Sequence, residues 1–142
     1  MPQSKSLFHA EMVNEHGVDG VAYVKNGGLE VTVSSPITEA AGTNPEELLG
    51  LSLSTCLNAT IQSLLKARGK NNQSRVEVQV DFMRESSGIG FFFEVVGLAQ
   101  IKGMALEEAD KLVKEAEKRC PVSKLLAGSQ TVTIKTVEAA KE

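Results

Sequence analysis

The sequence predicts an α+β fold with a mostly antiparallel sheet, and three observations lead there. β-prone and helical runs follow one another as βββ-α-ββ-α-β, without the regular βαβ alternation of a parallel doubly wound sheet. Asn26-Gly27, the strongest two-residue hairpin signal, separates two short β-prone runs. A full set of helix-start residues at Asn44–Glu47 opens a stretch with no charge between Leu48 and Leu65.

The elements follow in order. Phe8–Val13 and Val21–Val24 are short β-prone runs with Gly17 and Gly20 between them. After Asn26-Gly27, Leu29, Val31 and Val33 alternate on one face of a third strand, so a β-meander is expected to about Ser35. Ser35–Asn44 is a polar turn containing Pro36 and Gly42. Asn44 then suits an N-cap, Pro45 the first helical position, and Glu46 and Glu47 the positive end of the helix dipole. Glu47 also stands at capping-box spacing from Asn44. The helix runs to about Ala67, with Gly69 as its stop. Its apolar residues surround most of its circumference, which predicts a long buried central helix packed against a sheet and against a second helix or subunit.

Val76–Phe82 alternates as a half-buried strand, and Phe91–Ile101 reads as another. Ala105–Lys118 is amphipathic, with Leu106, Ala109, Leu112, Val113 and Ala116 on one face. Cys120-Pro121-Val122-Ser123 ends it, a short helical turn reaches Leu126, Val132–Val137 is a last strand, and AAKE is a tail.

Length and composition bound the function. At 142 residues a single domain spanning 1–142 is expected, and a dimer would help it bury a core. The net charge of -3 and the 4% aromatic content remove both the basic footprint and the stacking platform of a nucleic-acid binder. The densest apolar stretches, LLGLSLS and GFFFEVVGLA, fall short of the roughly 20 residues of a membrane span. The N-terminus has no apolar h-region, so a soluble, cytoplasmic protein is the expectation. In that compartment a cysteine pair reads as redox-active or as two buried thiols rather than as a static staple.

Three places can carry chemistry. Cys56 lies in the apolar helix, eleven residues after Pro45 and beyond the reach of the terminal dipole. An unperturbed thiol is only about 3% ionised at pH 7, so a reactive Cys56 needs a nearby cation; otherwise it is a small buried hydrophobe. Cys120 stands beside Pro121 just past a helix end, and spacing alone does not pair it with Cys56. The Thr43–Glu47 segment reads as a well-capped helix start. His9 and His16 have no metal-ligand spacing, and there is no phosphate loop or GxGxxG, so neither a metal nor a cofactor is expected.

Taken together, TNPEELLGLSLSTCLNA and CPVSKLLAG resemble the two cysteine motifs of the OsmC/Ohr family, the osmotically induced and organic hydroperoxide resistance proteins. Gly17-Val18-Asp19-Gly20 and the hairpin after it resemble the start of the Ohr branch, so the likeness covers nearly the whole chain. It implies an OsmC-like intertwined homodimer with active sites at the interface. It implies a cysteine-based peroxidase acting on organic hydroperoxides, with a dihydrolipoyl-type dithiol as reductant. Cys56 is then the attacking cysteine, Cys120 the resolving one, and Glu46 the carboxylate that holds an activating arginine. Cys56 would become a sulfenic acid, Cys120 would condense with it, and the dithiol would reopen the disulfide.

Helix geometry adds a constraint. On a straight helix Glu46 and Cys56 are about 15 Å apart and roughly 80° out of line, which favours an interfacial site. The sequence also departs from the family pattern. Val18 stands where the Ohr branch has arginine, and Ser34–Gly42, where the OsmC branch has its own, contains no Lys or Arg. Arg84, Lys25 and His16 are the substitutes the sequence offers. The alternative reading is a weak or inactive OsmC-like protein that binds a hydrophobic small molecule at the dimer interface. A third, a thiol-dependent hydrolase or acyl carrier, would need His9 or His16 as base.

Overall fold

A computed structural model describes residues 5–139. The chain falls into two compact units, one ending at Pro45 and one beginning at Glu46. The last three residues of the expected AAKE tail lie outside the described residues.

The first unit is the expected antiparallel meander, β1 (Met12–Asn14), β2 (Val21–Val24) and β3 (Glu30–Thr32). Its β2–β3 hairpin turns through Asn26 and Gly27 with φ of 68° and 83°. Both central residues of the turn therefore have positive φ, the demand that Asn-Gly meets best. β1 is shorter than Phe8–Val13 predicts. β2 ends at Val24, opposite Met12, and the last backbone bond runs from Lys25 N to Glu11 O. Residues before Glu11 have no strand to pair with, and Leu7 and Phe8 are exposed.

The second unit opens with α1 (Pro45–Ala67), the element whose start and stop the sequence marks. β4 (Ser74–Arg84) and β5 (Phe91–Ile101) form a long antiparallel hairpin. α2 (Leu106–Arg119) and α3 (Pro121–Leu126) then carry the chain back to β6 (Val132–Thr136). The sheet order is β4-β5-β6, and β6 runs parallel to β5. The other named strand pairs among the described residues are antiparallel, so the sheets are mostly antiparallel, as the sequence predicts. A strand reached through a helical crossover returns to the same end of the sheet and pairs parallel.

Register puts Val76, Val78 and Val80 of β4 on the same sheet face as Val95 and Ala99 of β5 and Ile134 of β6. That apolar face joins one core with Leu53, Leu57 and Ile61 of α1 and Leu112, Val113 and Ala116 of α2. Gly50 faces the sheet, where a Cβ would stand in ordinary contact, 3.8 Å from Val78 and Val80. At the far end Ser74 Oγ donates to Asn58 Oδ1 at 2.7 Å, tying α1 to the start of β4.

α1 is not buried all round within this chain. Leu53, Leu57, Ile61, Leu64 and Leu65 form its buried stripe, while Leu51 is 63% exposed. α1 has 23 residues, and an 18-residue window within it has a mean hydropathy of 1.3, enough by length and composition for a membrane span, which corrects the estimate from apolar runs. Its buried stripe belongs to the sheet core, and it is a core helix.

Candidate active site

Cys56 sits in the middle of α1, three residues past Leu53 and one before Leu57, on the edge of the buried stripe. It is half-buried. Cys120 arrives from the α2–α3 junction. A residue before proline is driven out of the helical region, and Cys120 is accordingly extended, with φ −68° and ψ 118°. That conformation ends α2 and lets Cys120 cap α3, its Sγ accepting the backbone N–H of Ser123 at 3.4 Å. Pro121 occupies the first position of α3, where a missing N–H costs nothing.

The two sulfurs meet. Cys120 Sγ lies 3.1 Å from Cys56 Sγ, both thiols are free, and Cys120 is completely buried. The fold thus closes a 64-residue gap that the spacing leaves open. An S–S bond is about 2.05 Å long, so a disulfide needs a local sulfur movement and no rearrangement of elements.

The thiols differ electrostatically. Burial pushes the Cys56 thiol above its ordinary 9.0, and the backbone N–H of Val122 only partly opposes this. Burial also pushes Cys120 up, but the Ser123 hydroxyl and backbone N–H outweigh it, with help from Cys56, and Cys120 ends below its ordinary 9.0. Donors aimed at a sulfur favour its thiolate, and the capping position supplies them.

Cys56 opens onto a cavity of about 470 Å³ lined also by Ala59, Thr60, Ser63, Leu64, Ala67 and Arg119. Its floor is one face of α1, and its cation comes from the last residue of α2. Among the described residues Arg119 has no ion-pair partner, whereas Arg68 pairs with Glu115, Arg75 with Glu77 and Lys114 with Asp110. Sequence reasoning missed Arg119. The signal was there, a basic residue directly before the CP motif, but at a helix C-terminus it reads as a dipole complement.

The substitutes named from sequence are engaged elsewhere. Arg84 stacks over the Phe91 ring at 4.9 Å, at the far end of β4 from Ser74. Lys25 is paired with Glu11 at 2.9 Å within the first unit. His16 packs its ring against Gly20 of the same unit, and Val18 lies in the β1–β2 turn, 46% exposed.

Glu46 is not brought to the sulfur pair. It stands in the first turn of α1, ten residues before Cys56, and lines a separate opening with Glu47, Gly50, Leu51, Ser54 and the three valines of β4. Its Oε2 is buried, and among the described residues it has no hydrogen-bond partner. No group of three His, Cys, Asp or Glu side chains among the described residues is arranged as metal ligands would be.

Residues 38–135 match the family profile of OsmC-like proteins. The organic hydroperoxide resistance protein OhrB of Bacillus subtilis (strain 168) is 28% identical over 132 residues, covering 91% of this chain and 97% of that protein. Its crystal structure superposes with a TM-score of 0.82, covering 94% of this chain and all of the other. A Lactobacillus casei (ATCC 334) protein, assigned to the redox proteins, superposes with a TM-score of 0.88 at 40% identity, covering 97% and 96% of the two chains.

Proposed function

The chain belongs to the OsmC-like protein family, and we propose that it is a cytoplasmic thiol peroxidase that reduces organic hydroperoxides. The observation that carries this reading is the contact of a cavity-facing Cys56 sulfur with a buried Cys120 sulfur at 3.1 Å. Relatives named for organic hydroperoxide resistance support it.

In this reading the Cys56 thiolate attacks the hydroperoxide, the O–O bond breaks, and an alcohol leaves. Cys56 is left as a sulfenic acid, which Cys120 attacks to form the disulfide and release water. A dithiol of the lipoyl type then reopens the bridge by exchange. The apolar lining from Ala59, Leu64 and Ala67 favours a substrate with a hydrocarbon chain over hydrogen peroxide, since such a chain gains by burial. Arg119 lines the same cavity and offers a positive charge to the alkoxide that departs.

Glu46 is proposed as the carboxylate of the site, completed across a homodimer interface, with chain 1–142 acting as one OsmC/Ohr-like domain. Two features support a second copy: the unpartnered Glu46 oxygen and the open apolar face around Leu51. The same open face, with Val18 in place of arginine, favours a second reading, a weak or inactive relative that binds a hydrophobic small molecule there.

One experiment separates the two. The reduced protein receives one equivalent of cumene hydroperoxide, and thiols and intact mass are followed. Loss of both thiols with a mass decrease of about 2 Da from disulfide formation supports the peroxidase. Two thiols persisting for many minutes overturn it in favour of the binding protein.

A further inference from the structure

We infer that the cavity at Cys56 selects its reductant by charge, and that Arg119 is the specificity-determining residue that takes a carboxylate on the incoming thiol. This rests on the peroxidase reading and names the reductant class of the same site, an aliphatic dithiol that carries a carboxylate.

Once Cys56 and Cys120 are joined, one end of the bridge can be reached and the other cannot. Cys120 is completely buried, whereas half-buried Cys56 lines the cavity of about 470 Å³. Exchange requires access to the sulfur under attack, so the reductant enters this cavity and bonds to Cys56. Cys120 is then the leaving sulfur. Its charge is met by the Ser123 amide, which donates to it at 3.4 Å. Arg119 is not needed for that charge and is left to the reductant.

The lining describes what enters. Cys56, Ala59, Thr60, Ser63, Leu64 and Ala67 recur at helical spacing, so they form one face of α1 about 16 Å long. Its alanines and leucine suit a hydrocarbon chain. Among the described residues, Arg119 is the one charged side chain in this lining and has no ion-pair partner. A guanidinium presents a planar fork of donors that fits a carboxylate. The chain's net charge of -3 does not attract anions in general, so a preference for an anionic thiol has to come from a local cation. The nearby Lys118 and Lys124 line a different opening, beside Ser123.

The step balances. One thiolate of the dithiol attacks the Cys56 sulfur, a new S–S bond forms, the Cys56–Cys120 bond breaks, and the electron pair leaves on Cys120. The second thiolate attacks the first sulfur of its own molecule and expels Cys56. The reductant departs as a cyclic disulfide, two electrons having passed to the protein. The protons lost by the dithiol are regained, through solvent, by the two cysteines.

The test times this reduction alone. The bridge is made with diamide, so it does not depend on any hydroperoxide. Its reduction by dihydrolipoate and by dihydrolipoamide, which differ in a carboxylate against an amide, is followed by the return of two thiols. Wild type, Arg119→Gln and Arg119→Lys are compared. An exposed ion pair is worth a few-fold, so wild type is expected to favour dihydrolipoate about fivefold at low salt and less at about 0.5 M salt. Arg119→Gln is expected to bring the ratio to about one, and Arg119→Lys to keep most of it, because the charge remains. A ratio near one in wild type, or a preference that survives Arg119→Gln, overturns the inference. Loss of both thiols to cumene hydroperoxide in that same protein would leave the peroxidase reading standing. Wild-type thiols that persist in cumene hydroperoxide, beside a diamide-made bridge whose preference for dihydrolipoate depends on Arg119, overturn the peroxidase reading and support the selection by charge.

Discussion

The two halves of α1 face opposite circumstances. From Leu53 to Leu65 one face of the helix is covered: its apolar stripe is buried against the sheet core, and half-buried Cys56 touches buried Cys120. From Glu46 to Leu51 it is open: a buried carboxylate oxygen has no partner among the described residues, and a leucine is 63% exposed beside three valines. One helix thus carries a finished sulfur site and an unfinished carboxylate site. In the proposed reaction both cysteines come from one chain, whereas the carboxylate is proposed to be completed by a second copy.

The sulfur half gives the largest expected effect. Cys56→Ser removes the only sulfur among the described residues that lines the 470 Å³ cavity, Cys120 being fully buried. Turnover of cumene hydroperoxide with dihydrolipoamide is expected to fall by more than about 100-fold, since a serine hydroxyl is not ionised near neutral pH and forms no sulfenic acid. Retained turnover would move the chemistry away from α1 altogether.

Paired leucine truncations sharpen the contrast on the same helix. Leu57 is fully buried, so Leu57→Ala is expected to cost about 2–5 kcal/mol, read as a lower urea midpoint at unchanged slope. Leu51→Ala on the open half is expected to leave the dilute protein within about 0.5 kcal/mol of wild type. It is expected to weaken self-association about tenfold by sedimentation, as loss of an apolar interface anchor would. Equal costs in dilute solution would erase the distinction between the halves.

Much of this contrast was legible in the sequence, and the reasons are local. Pro45, Glu46 and Glu47 start a helix wherever they fall, and Asn26-Gly27 sets its own turn. Cys56 and Cys120 could be named because their motifs are short and contiguous. Their meeting could not be read from the residues, because it depends on a crossover that brings α2 and α3 over the sheet. The all-round apolar character of α1 was visible, but composition does not say which face a single chain covers. Arg119 was hidden by an ordinary role at a helix end, and only the fold shows that it shares a cavity with Cys56.

Arg119 gives the next test. Arg119→Gln keeps a polar, hydrogen-bonding side chain, shorter and with fewer donors, while removing its charge. A roughly tenfold loss in kcat/KM, about 1.4 kcal/mol of transition-state stabilisation, is expected if its charge meets the departing alkoxide. The loss belongs in kcat when the charge acts only in the transition state. A change confined to KM would mean that it holds the substrate instead, and no change would reduce it to a complement of the α2 dipole.

The smallest effect is expected at Glu46, and its sign is the informative part. A buried carboxylate oxygen without a donor costs free energy in the lone chain, so Glu46→Gln, which removes the charge, should not destabilise dilute protein. If a second copy brings a donor to that oxygen, the same substitution discards a charge-assisted hydrogen bond and lowers stability by about 1–3 kcal/mol where the protein is associated. Thermal midpoints of wild type and variant at sub-micromolar and at roughly hundred-micromolar concentration compare the two states, because association makes the midpoint depend on concentration. A reversal of sign between them places the missing partner of Glu46 on the second copy. The same sign at both concentrations would mean that the open half of α1 is a surface of the lone chain, and that the sulfur half works without the carboxylate.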